Sequence, residues 1–182
     1  MKRILVLMLA VIAFAFTASD KSYLCKNGHV EFSSSTPMEQ IFAQTDQAVS
    51  KINASTGAVE FGILVKSFKF KNALMEEHFN ENYIESVKFP KASFKGKITN
   101  LTAINFDKDG EYPCTMEGEM NIHGVAKQMK VSGKMKVAGS KPTAVADFKV
   151  TPQDFGIKIP DLVKEKIAKE ISVSVKFNYN QI

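Results

Sequence analysis

Met120–Val137, MNIHGVAKQMKVSGKMKV, places an apolar residue at every second position on either side of a His-Gly pair. Met120 and Ile122 precede the pair, and Met129, Val131, Met135 and Val137 follow it. Asn121, Lys130, Ser132, Lys134 and Lys136 occupy the alternate positions. A period of two with one apolar and one polar face belongs to a strand half buried on a sheet. The segment therefore predicts a hairpin. Gly133 falls on its apolar parity and presents no side chain there.

The same period runs outward along the chain. Val59, Phe61, Ile63 and Val65 alternate with polar residues, as do Ala92, Phe94, Gly96 and Ile98; Met116, Gly118, Met120 and Ile122; Ala144, Ala146, Phe148 and Val150; and Ile171, Val173, Val175, Phe177 and Tyr179. Shorter candidates at Val30–Ser34 and Ile41–Thr45 bring the total to about eight strands. Asp109-Gly110 and Ser140-Lys141-Pro142 supply turns. Two segments break the rhythm with helical spacing: Ala73–Ser86, with Leu74, Met75, Phe79 and Tyr83 on one stripe, and the segment after Pro160, with Leu162, Val163, Ile167 and Ile171. The first helix is expected to lie across the sheet with its stripe buried. Closely spaced alternating strands suit a sandwich or a closed antiparallel barrel. Glycines and alanines on the inward parity favour the all-β barrel, of eight strands with one or two short helices.

The first residues, MKRILVLMLAVIAFAFTASD, combine two positive charges, an apolar run from Ile4 to Phe16 and a boundary of small residues. This is the pattern of a cleaved secretory signal peptide, and the run is shorter than the roughly 20 residues of a spanning helix. Residues 1–19 are assigned to the signal and 20–182 to one domain, soluble in the envelope and without a stable membrane span. Loss of Lys2 and Arg3 lowers the balance from 24 − 19 = +5 to 22 − 19 = +3. Lysines dispersed on alternate positions describe a solvated face, not the clustered excess of a nucleic-acid binder. A transmembrane barrel would require aromatic girdles, yet the chain has no Trp and only four Tyr. Cys25 and Cys114 are equally compatible with a disulfide and with two buried thiols. Catalytic and metal patterns are lacking: His29, His78 and His123 are the only histidines, and His78 with Glu77 or Glu81 gives a pair at most. No catalytic residue, metal site or cofactor is predicted.

What remains is the interior. Phe61, Phe94, Phe148 and Phe177 would frame it and Met116, Met120, Met129 and Met135 would floor it. Ile63, Val131 and Val175 share that face, Phe79 and Tyr83 come from the helix, and Gly96, Gly118 and Gly133 relieve it. Eight-stranded barrels are filled by side chains or hold one small ligand, and thioethers adapt to flexible guests. The glycines are read in two ways: they let the sheet coil, or they leave room for a long apolar molecule. Both readings stand at this level.

Leu74–Ile98, LMEEHFNENYIESVKFPKASFKGKI, followed by Gly118–Val131, GEMNIHGVAKQMKV, and Asp154–Ile157, DFGI, resembles the bacterial YceI-like family, the lipid or polyisoprenoid-binding family. Three motifs occur in order, with Ala126 and Gln128 standing where many members have Thr and Pro. The resemblance implies a secreted or periplasmic lipocalin-like barrel holding an isoprenoid or other long-chain lipid, such as a quinone or polyprenyl lipid. The alternative function is a filled-core barrel serving as a structural or stress-related envelope partner without lipid. The oligomeric state is not set by the sequence, and a dimer is compatible with it.

Overall fold

The computed structural model describes residues 21–182, and the predicted signal peptide lies outside the described residues. The wall is made by β1 (Ser22–Ser35), β2 (Gln40–Asn53), β3 (Ala58–Leu64), β5 (Lys91–Ile98), β6 (Gly110–Ile122), β7 (Val125–Ala138), β8 (Lys141–Val150) and β9 (Ile171–Asn178). Two-residue strands β4 (Lys69–Phe70) and β10 (Asn180–Gln181) attach to β2 and β1. Each wall strand pairs antiparallel with its neighbour in the chain, and β9 returns to pair with β1, which also pairs with β2. The result is a closed eight-stranded up-and-down barrel.

The opening hairpin is observed as expected. His123 and Gly124, with φ of 54° and 74°, form its two-residue turn, in which both central residues take the left-handed region so that the turn matches the strand twist. The next turn, Gly139-Ser140, also has two positive φ values and lies one residue before the expected site; Lys141 and Pro142 already belong to β8. The apolar parity faces inward. On the outer face Lys130 meets Glu117 at 2.9 Å and Lys134 meets Glu111 at 2.7 Å across the β6–β7 ladder, which is the solvated lysine face read from the sequence.

Three expectations are corrected. β1 and β2 are not short: each runs 14 residues. Their register slips twice, between Cys25 and Gly28 and between Gly28 and Val30, so the inward set changes parity from Tyr23 and Cys25 to Gly28, Val30 and Phe32. A bulge bends the strand and breaks the alternation that reveals it. The helix after Pro160 is instead a run of 3₁₀ turn, Asp161–Lys166. Ile171 is drawn into β9 opposite Val150, leaving too few residues to repay helix nucleation. The first helix, α1 (Ala73–His78), ends early and continues as a π-helical turn over Phe79–Tyr83, closed by the Ile84 amide donating to the Phe79 carbonyl at 2.9 Å. Asn72 caps its start, accepting from the Leu74 amide.

The core is not uniform along the barrel axis. Tyr23, Ile52, Met135, Val137 and Pro142 are the largest fully buried side chains, and all lie at the end where β1 begins and β2 ends. Tyr23 stacks on Phe106 there. That end is solid, and the opposite end carries α1 and the long β8–β9 connection.

Candidate functional site

The upper half of the barrel is not closed by strand pairing throughout. Pairing of β2 with β3 stops at Val49 opposite Gly62, and pairing of β7 with β8 stops at Gly133 opposite Ala146. Above those points β2 pairs with β1 and β4, β7 with β6, and β8 with β9. Two seams therefore open toward the same end. The segment Val65–Phe70 fills one through β4, and the turn Pro152–Phe155 stands beside β7 at the other.

Between the two halves of the wall lies an apolar cavity of about 540 Å³, within the range of roughly 300–1,000 Å³ typical of small-molecule sites. Of the residues proposed from the sequence, Phe61 and Ile63 of β3, Phe94 of β5, Met116 and Met120 of β6, Val131 and Gly133 of β7, Phe148 of β8 and Val175 and Phe177 of β9 line it, joined by Phe79 and Tyr83 from the helix. Four of the proposed residues do not. Met135 is fully buried in the solid lower half, and Met129, Gly96 and Gly118 stand outside the lining.

The glycines are decided by close approach. Gly96 and Gly118 are directly opposed, and a Cβ on Gly118 would sit 2.4 Å from the Gly96 Cα and 2.4 Å from the Lys95 carbonyl oxygen. A Cβ on Gly133 would sit 2.2 Å from the Val145 carbonyl oxygen. These are collisions with backbone, so the glycines permit tight coiling of the wall and do not reserve ligand volume.

The expected burial of the helix stripe is also corrected. None of its residues is fully buried, and Leu74 is 56% exposed. The stripe faces a hollow open to solvent, so it covers the cavity without being packed on both sides. Phe79 is its anchor, with ring centroids 5.4 Å from Phe32, 5.2 Å from Phe70 and 6.1 Å from Phe68. Phe32, Phe68 and Phe70 were missed as lining residues. SFKFKN carried a readable signal in its alternating phenylalanines; Phe32 was hidden by the change of parity in β1.

The rim is clasped by the three sequence motifs. His123, in the hairpin turn, places Nε2 2.7 Å from Glu85 Oε2 at the end of the helical segment and Nδ1 3.2 Å from the Phe155 carbonyl. Phe89 packs on its ring at 4.3 Å, and Lys127 reaches Asp154 at 3.3 Å. Glu85 itself has a φ of 46°. On the far side, Ser34 accepts from the Ala168 amide at 2.8 Å, holding the β8–β9 connection to β1.

Polar groups in the cavity are few and mostly engaged. The Tyr179 hydroxyl lies 2.8 Å from Ser50 Oγ, and Ser50 donates to the Glu60 carbonyl at 3.1 Å. Burial pushes the Tyr179 hydroxyl well above its ordinary value, although the Ser50 contact opposes the shift. Burial likewise pushes the Cys114 thiol up to about 11. Cys25 and Cys114 are both buried and free. Among the described residues no group of three or more His, Cys, Asp or Glu side chains is placed to hold a metal ion. Such a site offers dispersion and shape to an apolar guest.

The model of the YceI-like domain matches residues 18–179. A polyisoprenoid binding domain from Saccharophagus degradans, implicated in plant cell wall breakdown, superposes with a TM-score of 0.77 at 12% identity, covering 88% of this chain and 98% of that one. Burkholderia cenocepacia BcnA gives 0.69 at 14% identity, with 84% and 96% covered. The Campylobacter jejuni YCEI protein gives 0.56 at 13% identity, with 100% and 91% covered. No curated protein matches the sequence significantly. At these identities the structural likeness carries the fold.

Proposed function

Because this chain belongs to the YceI-like family, we propose that it is a carrier holding one isoprenoid or other long-chain lipid, of quinone or polyprenyl type, in the upper half of its barrel. The observation that carries the reading is the cavity itself: about 540 Å³ framed by phenylalanine, methionine and branched aliphatic side chains. Protein interiors are close-packed, and voids much larger than a water molecule are few. Water gains too few hydrogen bonds on apolar walls to fill such a space well. An apolar guest satisfies it, and the open end lets a chain longer than the cavity protrude.

The filled-core alternative describes only the lower half, where Met135 and Val137 close the packing. Binding without chemistry suits a cavity whose innermost hydroxyls, Ser50 and Tyr179, are tied to one another. The proposed setting is the periplasm, on the strength of the charged, apolar and small-residue order of residues 1–19. The likeness to a polyisoprenoid binding domain supports the ligand class.

The test is mass spectrometry of an organic extract from protein purified out of its native envelope. A long-chain lipid at about one per barrel is the expected result, since the cavity is of single-ligand size. Barrels that carry no lipid, and take up neither a quinone nor a polyprenol when offered one, would overturn the reading.

A further inference from the structure

Exposed apolar side chains scattered singly over a surface carry no message. Here they are not scattered. Of the six large apolar side chains more than half exposed among the described residues, five stand at the cavity end: Leu162 at 95%, Val87 at 85%, Met38 at 65%, Leu74 at 56% and Leu64 at 52%. The sixth, Ile182, ends the chain at the solid end.

Leu162 is the most exposed of them, and its surroundings are informative. It lies in the β8–β9 connection, within the turn Asp161–Lys166. On either side of it Ile159, Val163 and Ile167 line the cavity. One short segment thus carries apolar side chains both on the exposed rim and on the cavity wall. The stretch 158–169 also holds Lys158, Lys164, Lys166 and Lys169 against Asp161 and Glu165. Lys158 and Lys169 have no ion-pair partner among the described residues.

We propose that this rim is a bilayer-contacting surface with Leu162 as its inserted tip, so that a lipid chain passes between membrane and cavity without crossing water. The inference rests on the lipid-carrier reading and adds the place and manner of exchange. A protein partner would need one contiguous apolar patch matched in shape. The five side chains instead come from three connections and the end of β3: Met38 from β1–β2, Leu74 and Val87 from β4–β5, Leu162 from β8–β9, and Leu64 from the last position of β3. A fluid bilayer accepts such separated tips because lipid flows around each, and neighbouring lysines find phosphates at the headgroup level.

The test uses the full mature chain and two separate measurements. The first is co-flotation with vesicles of phosphatidylcholine, with and without phosphatidylglycerol. The second compares delivery of a fluorescent geranylgeraniol ester to the cavity from those vesicles with its delivery from dilute ethanol. Wild type should float with vesicles, more so when phosphatidylglycerol is present. Leu162→Asp should lose flotation and slow vesicle delivery by about tenfold, with unchanged uptake from ethanol and unchanged thermal unfolding. Leu162→Ser, which adds no charge, should behave similarly and so separates insertion from repulsion.

Wild type that never floats would overturn the proposal. So would Leu162→Asp that floats and loads like wild type. A wild-type barrel that floats but takes the probe from neither source would leave the surface assignment standing and count against the lipid-carrier reading instead.

Discussion

Gly118 faces Gly96 across the β5–β6 ladder at a distance that leaves no room for a methyl group. Gly118→Ala should therefore destabilise the barrel by about 1–3 kcal/mol, as overpacking against backbone does; chemical denaturation measures it, and a neutral result would mean that the strands part easily there. The Cys114 thiol supplies a second residue-scale prediction. Burial raises it from 9.0 to about 11, so the folded chain keeps a proton that the unfolded chain releases. Its stabilising contribution is complete below about pH 9 and is lost as pH rises through that window towards 11. Stability measured across this interval should fall with pH, and the fall should be shallower in Cys114→Ala.

The helical segment is an element whose two ends differ in importance. Leu74 is more than half exposed, whereas Phe79 touches three aromatic rings. Leu74→Ala should change stability by no more than about 0.5 kcal/mol, as exposed substitutions do. Phe79→Ala should cost about 2 kcal/mol, less than a fully buried phenylalanine because the residue is only partly buried. It should also speed release of a bound polyprenol. Equal effects at the two positions would mean that the segment packs as an ordinary core helix. The rim clasp acts between elements: His123 joins the helical segment through Glu85 to the β8–β9 connection through the Phe155 carbonyl. Removing it in His123→Ala should loosen both and raise amide exchange in residues 79–89 and 152–157 together, whereas exchange rising in only one segment would show that they move independently.

At the scale of the molecule, the barrel is solid at one end and hollow at the other, and the two ends should answer the same kind of substitution differently. Val175 lines the cavity, while Val137 is fully buried in the lower half. Val175→Phe should fill ligand volume, lowering bound lipid several-fold with little change in thermal stability. Val137→Phe should cost about 1–3 kcal/mol by overpacking and leave any correctly folded fraction able to bind. Paired unfolding and extraction measurements distinguish the two, and a matching loss of stability in both variants would mean that the upper half is packed after all.

The period-two pattern of β3, β5, β6, β7, β8 and β9 made the barrel legible, because hydrophobic burial on one face of a strand writes itself directly into alternate residues. Most of the cavity wall followed from that parity, including Phe61, Phe94, Met116, Met120, Phe148 and Phe177. Where two bulges change the inward set of β1 and β2, and where inward positions are small or polar as at Ala43, Thr45, Ala48 and Ser50, the pattern was lost and Phe32 with it. Parity also says only that a residue points inward. Whether it meets another side chain or empty space depends on how far neighbouring strands have separated, a property of long-range pairing that ends at Val49–Gly62 and Gly133–Ala146. That is why Met135 and Met120, equivalent in the sequence, belong to a packed floor and to a cavity wall.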